Sequence, residues 1–411
     1  MNYLRIKLGL LSLFMMATMS IFLTSCEQES INNGIDNATN PVLDEQFRSY
    51  EIVEINNGEV WNTVENQIDG EVNLEMRKVS SDAVLADWSF NMNRIQVQAD
   101  DFTMNLVGEG GQVTQVQMPK THVLSGQLKE GAGEIFMGVT KENLRAEVTE
   151  GEVTYVIEPL SDYTSDAKPN EYVRYNVADI ITTEDHVCGT EESQLEVEID
   201  ETNIPDNLED RAANCLKVEV MYTGDYDLYV RFNYNFNNAA SWMYWRVVNG
   251  GKRYYAYNGF PLNLIIKEGW LYTRNSNIAT SGNATTFLTQ WKNFANNNAS
   301  WINRGDVNIL FTGKNTGGST VGAAWVRSIC NSYYAGGAPY TFVEYQYSSY
   351  YSDITTAHEI GHILGADHSS YGFMASNVTN ADNSMSDYTR NQLNNWVWNN
   401  DNCLGYWECQ Y

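Results

Sequence analysis

The fold of this chain is decided by a stretch near its C-terminus that reads His358-Glu359-Ile360-Gly361-His362-Ile363-Leu364-Gly365-Ala366-Asp367-His368. Three of the five histidines of the protein fall inside this window. His358 and His362 are four residues apart, so a helix places both imidazoles on one face. Gly365 can adopt the left-handed conformation that ends a helix, which lets the chain turn back and bring His368 to the same point. The spacing therefore predicts three nitrogen ligands for one metal ion.

The residue types in this window indicate a catalytic zinc site. Three protein ligands leave the fourth position of a tetrahedral zinc open, as catalytic sites do. Glu359 lies beside the predicted site without ligating the metal, where it can take a proton from an attacking water. A short H-E-x-x-H pattern also occurs by chance in helices with two surface histidines. Gly365, His368 and the following Met374 make that alternative much weaker.

The longer pattern, from the first histidine to Met374, resembles the metzincin metallopeptidases, in which a methionine-containing turn underlies the metal. Met374 stands in Tyr371-Gly372-Phe373-Met374-Ala375. Met385 is the other candidate, although it is more simply interpreted as a core methionine of the last helix. The resemblance implies peptide-bond hydrolysis of protein or peptide substrates with one Zn²⁺ per chain. The implied zinc ligands are His358, His362 and His368.

The net charge of −27 over 411 residues is unevenly placed. Residues 1–211 hold 39 acidic and 13 basic side chains, a net of −26, whereas residues 212–411 have a net of −1. Neither half carries a basic excess, so nucleic acid is not an expected partner. The length allows two domains, and the charge difference suggests that they do different work.

The first residues have the features of a targeting segment. Arg5 and Lys7 precede an apolar run over residues 8–23, which is short for a membrane span. The run ends in Leu23-Thr24-Ser25-Cys26, which resembles a bacterial lipobox. That resemblance implies a lipoprotein signal peptide over residues 1–25 and acyl chains on Cys26 that hold the precursor at the outer membrane or cell surface. An ordinary signal peptide with an incidental cysteine is the alternative.

The rest of the N-terminal half favours strands. Residues 95–99 and 113–116 alternate apolar and polar side chains, and glycines separate the runs. We expect a β-rich domain over residues 26–188. Residues 189–211 carry nine acidic side chains and one basic one, Arg211, which is typical of an exposed linker.

Residues 212–411 alternate predicted strands and helices, which favours an α/β sheet with helices packed on it. Ser352 or Asp353 is positioned to cap the helix that carries the first two histidines. We expect strands at 216–221, 262–266, 307–311, 321–325 and 341–345. We expect helices at 235–248, 285–297, 354–364 and 387–399.

Further stretches resemble the adamalysin (reprolysin) metallopeptidases. Residues 317–330 are similar to their edge-strand region, residues 384–403 to their C-terminal segment, and residues 125–128 and 155–160 to their propeptide. The resemblance implies a metzincin catalytic domain with a twisted, mostly parallel sheet, a zinc helix and a C-terminal helix, preceded by a β-rich prodomain. Ser369 stands where adamalysins usually have Asp, which leaves the subfamily open.

Cysteine parity suggests one free thiol. Of the six cysteines, five remain once Cys26 is lipidated. Cys188 lies where a zymogen of this family carries its cysteine switch, and a thiolate binds zinc tightly at the position that the water needs. We therefore expect Cys188 to be the fourth zinc ligand of a latent form; a surface or disulfide-bonded cysteine is the alternative. Activation is then expected from a cut between residues 189 and 215, with Arg211 as the one basic target, which would release a soluble extracellular enzyme.

The family pattern suggests a Cys330–Cys403 disulfide, which leaves Cys215–Cys409 as the second. Cys330–Cys409 is the pairing that stays open. Residues 322–324 are expected to pair with an extended substrate by strand addition. No ligand set for Ca²⁺ stands out, and we expect a monomer.

Two functions from different classes remain. The first is a zymogen-type zinc endopeptidase, either general or toxin-like against host surface proteins, since the lipobox, large prodomain and compact catalytic domain resemble fragilysin-type proteases. The second is a surface binding lipoprotein with a structural metal site. Glu359 argues against the second, because a structural site needs no base and normally closes its fourth position with a protein ligand.

Overall fold

The computed structural model describes the residues in eleven segments: 40–66, 71–81, 84–91, 93–129, 133–182, 185–190, 214–280, 282–298, 305–330, 339–399 and 403–408. Residues from Asn40 onward form one compact unit. The predicted signal peptide, Cys26, Arg211 and Cys409 lie outside the described residues. Among the described residues, no helix is both long and apolar enough to cross a membrane.

The N-terminal half is built mainly from one antiparallel sheet. Its helices are α1 (Pro41–Asp44) and α2 (Asn57–Asn66). Its strands are β1 (Glu51–Glu54), β2 (Glu71–Lys78), β3 (Val84–Asn91), β4 (Asn93–Ile95), β5 (Gln98–Val107), β6 (Val113–Val116), β7 (His122–Gln127), β8 (Gly133–Val139), β9 (Leu144–Glu150), β10 (Val153–Pro159) and β11 (Glu171–Asn176). The sheet order is β3-β2-β1-β11-β10-β9-β8-β7-β4. In β2, buried Val72, Leu74 and Met76 alternate with exposed polar side chains, so one face of the sheet meets the core.

The C-terminal half is a mixed sheet flanked by helices, which confirms the α/β class. Its helices are α3 (Tyr226–Arg231), α4 (Phe236–Tyr255), α5 (Ala284–Asn297), α6 (Ser349–Ile363) and α7 (Asp387–Asn399). Its strands are β12 (Val187–Cys188), β13 (Asn214–Gly224), β14 (Leu262–Tyr272), β15 (Val307–Thr312), β16 (Thr320–Ala324), β17 (Tyr340–Glu344) and β18 (Gly405–Glu408). The sheet order is β12-β16-β17-β15-β13-β14-β5-β6, with β18 also on β13. Strands β13, β14, β15 and β17 are buried nearly throughout, as parallel strands covered on both faces are.

Besides β12, two further strands from before residue 189 belong to this second sheet. β5 runs parallel to β14, with Thr103 opposite Glu268 and Val107 opposite Tyr272, and β6 pairs antiparallel with β5. Strands from residues 26–188 therefore contribute to both sheets. The two halves share backbone hydrogen bonds as well as side-chain contacts.

The predicted helix at 235–248 is longer than expected. Helix α4 runs through Gly250 and Gly251 to Tyr255. A Cβ on Gly250 would lie 3.1 Å from Thr356 of α6, and one on Gly251 would lie 3.4 Å from Leu264 of β14. Both glycines therefore lie inside the helix and do not end it. Because they have no side chain, they permit close contact between the helix and its neighbours.

Candidate metal centre

Helix α6 carries two of the predicted ligands through the middle of the core. All fifteen of its residues are buried. Its N-cap is Ser348, whose side chain accepts a hydrogen bond from the Tyr351 amide. The prediction of Ser352 or Asp353 as the cap is wrong, because the helix begins earlier. Asp353 is instead an internal residue that faces Arg246, with 3.1 Å between the guanidinium Nε and the carboxylate Oδ1.

The structure brings Cys188, His358, His362 and His368 to one point. One ligand atom from each of these four residues lies within 4.8 Å of the others. The Nε2 atoms of His358 and His362 are 3.0 Å apart, and Cys188 Sγ lies 3.5 Å from His362 Nε2. Three residues come from the predicted window, and the fourth comes from the end of the N-terminal half.

Backbone carbonyls fix the orientation of the two helical imidazoles. His358 Nδ1 lies 2.8 Å from the Phe373 carbonyl oxygen, and His362 Nδ1 lies 2.7 Å from that of Ala366. A carbonyl only accepts hydrogen bonds, so each Nδ1 carries a proton and each Nε2 presents a lone pair. Burial lowers the pKa of His358 to about 3, which keeps its ring neutral. Two lone pairs 3.0 Å apart repel each other unless a cation lies between them, so this set of donors fits a metal ion.

Glu359 faces the same cluster. Its side chain is fully buried, and within the described part of the chain its Oε1 has no hydrogen-bond partner. Burial raises the pKa of Glu359 to about 8, although hydrogen bonds from Cys188 and Thr190 act in the opposite direction. A Cβ on Gly322 of β16 would lie 2.6 Å from Oε1, so the edge strand approaches this carboxyl as closely as glycine allows.

Met374 lies directly beneath the helix. It is 1% exposed, and a Cβ on Gly361, between the two histidines, would collide with its sulfur atom. The Ser369 amide donates to the Met374 carbonyl at 2.9 Å, which closes the turn after His368. Met385 is buried in the main hydrophobic core, as expected for the other candidate.

Residues 187–190 lie along the edge strand. β12 runs parallel to β16, with Val187 opposite Thr320 and Cys188 opposite Gly322. The Gly189 amide donates to the Gly322 carbonyl at 2.8 Å. Burial, and then the nearby Glu359 carboxyl, raise the pKa of Cys188 well above its ordinary value. The edge predicted to receive a substrate is therefore covered here by this chain's own segment.

The described cysteines include a disulfide pair and a free thiol. Cys330 and Cys403 form a disulfide with Cα atoms 5.4 Å apart, which is the pairing that the resemblance implied. Cys215 is also disulfide-bonded, and its predicted partner Cys409 lies outside the described residues. Cys188 is a free cysteine.

Buried ion pairs join the two halves beside α6. Glu147 of β9 lies 2.6 Å from Lys252 of α4, and both side chains are almost fully buried. Glu158 of β10 lies 3.0 Å from Arg145 and 3.7 Å from Arg246 of α4. Burial alone would raise the pKa of Glu147, but the positive charges of Lys252 and its neighbour hold it at about 2.

Sequence reasoning did not identify several residues of this site. Thr190, the carbonyls of Ala366 and Phe373, and the buried acids Glu147 and Glu158 all contact it or support it. The acid pair gave a signal in the sequence, because Glu147 and Glu158 each lie between two apolar neighbours in their strands. Backbone carbonyls leave no trace in a sequence.

These features are typical of a metzincin-type metallopeptidase domain. They are a helix with two histidine ligands and a base, a third histidine beyond a glycine turn, and a methionine beneath them. Residues 217–402 match the model of Metallo-peptidase family M12, of the reprolysin type. The predicted metzincin and adamalysin-like resemblance is thus confirmed for residues 217–402, which are less than half of the chain. The family implies zinc as the metal.

The relatives are distant. A "Zinc metalloproteinase-disintegrin-like" protein of Cerberus rynchops is 26% identical over 225 residues, which are 53% of this chain and 35% of that protein. The chain therefore spans about a third of the length of this relative. The crystal structure of metalloproteinase-II from Bacteroides fragilis overlaps 81% of this chain and 93% of its own, with 13% identity and a TM-score of 0.48. At that TM-score the overlap bears on neither fold nor function.

Proposed function

We propose that this protein is the latent precursor of an exported zinc-dependent metalloendopeptidase. The observation that carries the proposal is the convergence of the His358, His362 and His368 nitrogens beside a buried glutamate on the same helix. A purely structural site has no use for Glu359, whose Oε1 makes no protein hydrogen bond in the described residues.

The residues divide the work of peptide hydrolysis. His358, His362 and His368 would hold zinc, which when bound polarises the scissile carbonyl and lowers the pKa of water. Glu359 takes a proton from the attacking water and passes it to the leaving amine. Burial raises the pKa of Glu359 in the closed form, in which residues 187–190 cover the edge strand. The edge strand β16 aligns an extended peptide by backbone hydrogen bonds once residues 187–190 have left it.

Latency follows from the position of Cys188. Its sulfur lies among the same ligand atoms, and β12 covers the edge on which a substrate would lie. Cutting the 189–211 linker frees this segment at one end and begins activation. Cys26 lipidation and the signal peptide place the precursor at the bacterial surface, and the processed enzyme acts outside the cell, on proteins of a host or of the surroundings.

The catalytic proposal is tested by Glu359→Ala in the processed enzyme. We expect peptide hydrolysis to fall at least about 10²-fold, because the base is removed, while one zinc per chain is retained. The control is Asp387→Ala, at an exposed carboxylate that begins helix α7, and this variant should keep full activity. Metal analysis and casein cleavage with and without chelator provide the readouts. An active, zinc-loaded Glu359→Ala enzyme would exclude this role.

Latency is tested by Cys188→Ser in the full precursor. Serine is a far weaker zinc ligand than a thiolate, so the variant should process itself prematurely. The Cys188→Ser, Glu359→Ala double variant is the matched control and should stay intact, since it lacks the base. Gel electrophoresis measures how much intact precursor remains over time. Unchanged latency in the single variant would argue against Cys188 as the inhibitory ligand. Fractionation of intact and processed forms tests the surface location.

A further inference from the structure

Thr190, two residues after the cysteine, makes four polar contacts with its surroundings. Its amide lies 3.3 Å from Cys188 Sγ, to which it donates. Its hydroxyl accepts from the Ala324 amide at 2.9 Å. The same hydroxyl lies 3.4 Å from Glu359 Oε2 and 3.5 Å from the Ala324 carbonyl oxygen. One side chain thus contacts the edge strand and the base together.

At Thr190, side-chain contacts take the place of the backbone hydrogen bonds that pair residues 187–189 with the edge strand. Upstream, the amides of Val187 and Gly189 donate to carbonyls of the edge-strand segment, at Ser319 and Gly322. At Thr190 the backbone amide donates to the cysteine sulfur, and the Ala324 amide of the edge strand donates to the threonine hydroxyl. The ladder therefore continues along β16 through a side chain.

The hydroxyl has one proton to donate. Its oxygen already accepts from Ala324, and its possible acceptors are the Ala324 carbonyl and the Glu359 carboxylate. Both acceptors lie within hydrogen-bond distance of the hydroxyl, and Glu359 Oε2, at 3.4 Å, is the nearer of the two. The result is a hydrogen-bonded bridge from the Ala324 amide through Thr190 to Glu359, in the space between edge strand and base.

We propose that Thr190 is a second determinant of latency, which holds Cys188 in place and occupies the space between Ala324 and Glu359 that a substrate and its attacking water require. This proposal rests on the proposed peptidase function, because only that function makes the space a substrate site. The role of Thr190 in holding Cys188 rests on the contacts alone. Thr190 is a positioning residue, since it acts through the thiol, the edge amide and the carboxylate.

The test uses the full precursor with Thr190→Val and Thr190→Ser. Valine keeps the branched shape and loses the hydroxyl, whereas serine keeps the hydroxyl. Reaction of Cys188 with a maleimide, followed by mass analysis of the peptide that contains it, reports how often the segment opens. We expect labelling about tenfold faster in Thr190→Val, because a buried amide loses its acceptor, and near the wild-type rate in Thr190→Ser. Equal rates in all three proteins, or equally fast labelling in both variants, would overturn the proposal.

A second pair of measurements separates this idea from the proposed function. Thr190 lies outside residues 214–408, so the processed enzymes from all three precursors should have the same activity. If the processed wild-type enzyme cleaves nothing, the proposed function fails, while maleimide labelling still decides the role of Thr190. In a Glu359→Ala background the effect of Thr190→Val should shrink; an undiminished effect would show that the hydroxyl does not act through Glu359 and would refute that part.

Discussion

Glu147 is one of several carboxylates that this protein buries between its two halves. It contacts Lys252 at 2.6 Å and accepts from the Tyr257 hydroxyl at 2.7 Å and from the Asn383 amide at 2.9 Å. Replacing it with glutamine leaves the buried Lys252 without its anion. We expect Glu147→Gln to lower the free energy of unfolding by about 3–5 kcal/mol at pH 7. Urea denaturation measures this, and Glu142→Gln, at an exposed site just before the same strand, should change it little.

The same carboxylate makes stability depend on pH in a defined direction. The folded pKa of Glu147, about 2, lies below its ordinary value of 4.5, so the folded state favours the ionised form. Its contribution is complete above about pH 4.5 and is lost as the pH falls toward 2, by about 3 kcal/mol over that range. Denaturation of the wild type between pH 5 and 2.5 should show this slope. In Glu147→Gln the slope should be shallower, and equal slopes would contradict the assignment.

At the scale of elements, the end of helix α6 sets the position of the third histidine. Gly365 has a φ of 112°, and a Cβ there would collide with the Trp396 side chain of α7. We expect Gly365→Ala to cost about 2–4 kcal/mol from backbone strain and overpacking together, and to lower the zinc content because His368 moves. Gly259 has a φ of 55° and open space, so Gly259→Ala should cost only about 1 kcal/mol. Equal losses in urea denaturation would mean that contact with Trp396 does not matter.

The elements also show how far the sequence could be interpreted. The zinc helix, the glycine turn and the methionine were predictable because each depends on local spacing, as with His358 and His362. The start of α6 was missed because the cap at Ser348 precedes two buried tyrosines, whose burial depends on tertiary contacts. The parallel pairing of β5 with β14 was not predictable, since no local pattern states which distant strand a strand will join.

On the scale of the whole molecule, the shared sheet bears on the proposed activation. β5 pairs with β14, and buried ion pairs such as Glu158–Arg246 also join the halves, all of them independent of the 189–211 linker. We therefore expect the two fragments to remain associated after a single cut in the linker. A specific protease site inserted there, followed by size-exclusion chromatography, should give one peak containing both fragments.

The control for that experiment is the same cut in a Glu147→Gln, Glu158→Gln precursor, whose fragments should separate at lower urea concentration. Salt alone should have little effect, because buried pairs are poorly screened. An N-terminal fragment that elutes alone after the cut would show that the linker is the principal connection. If the two fragments stay together, we expect full activity to require further degradation of the N-terminal fragment.

The order of the halves along the chain has a consequence for the cell that makes this protein. Domains generally fold as units during synthesis, N-terminal part first. The ribosome therefore synthesises strand β5, which pairs with β14, and the segment that carries Cys188 before it reaches His358. In the proposed zymogen, the inhibitor is present before the enzyme is synthesised, so the producing cell is never exposed to an uninhibited protease.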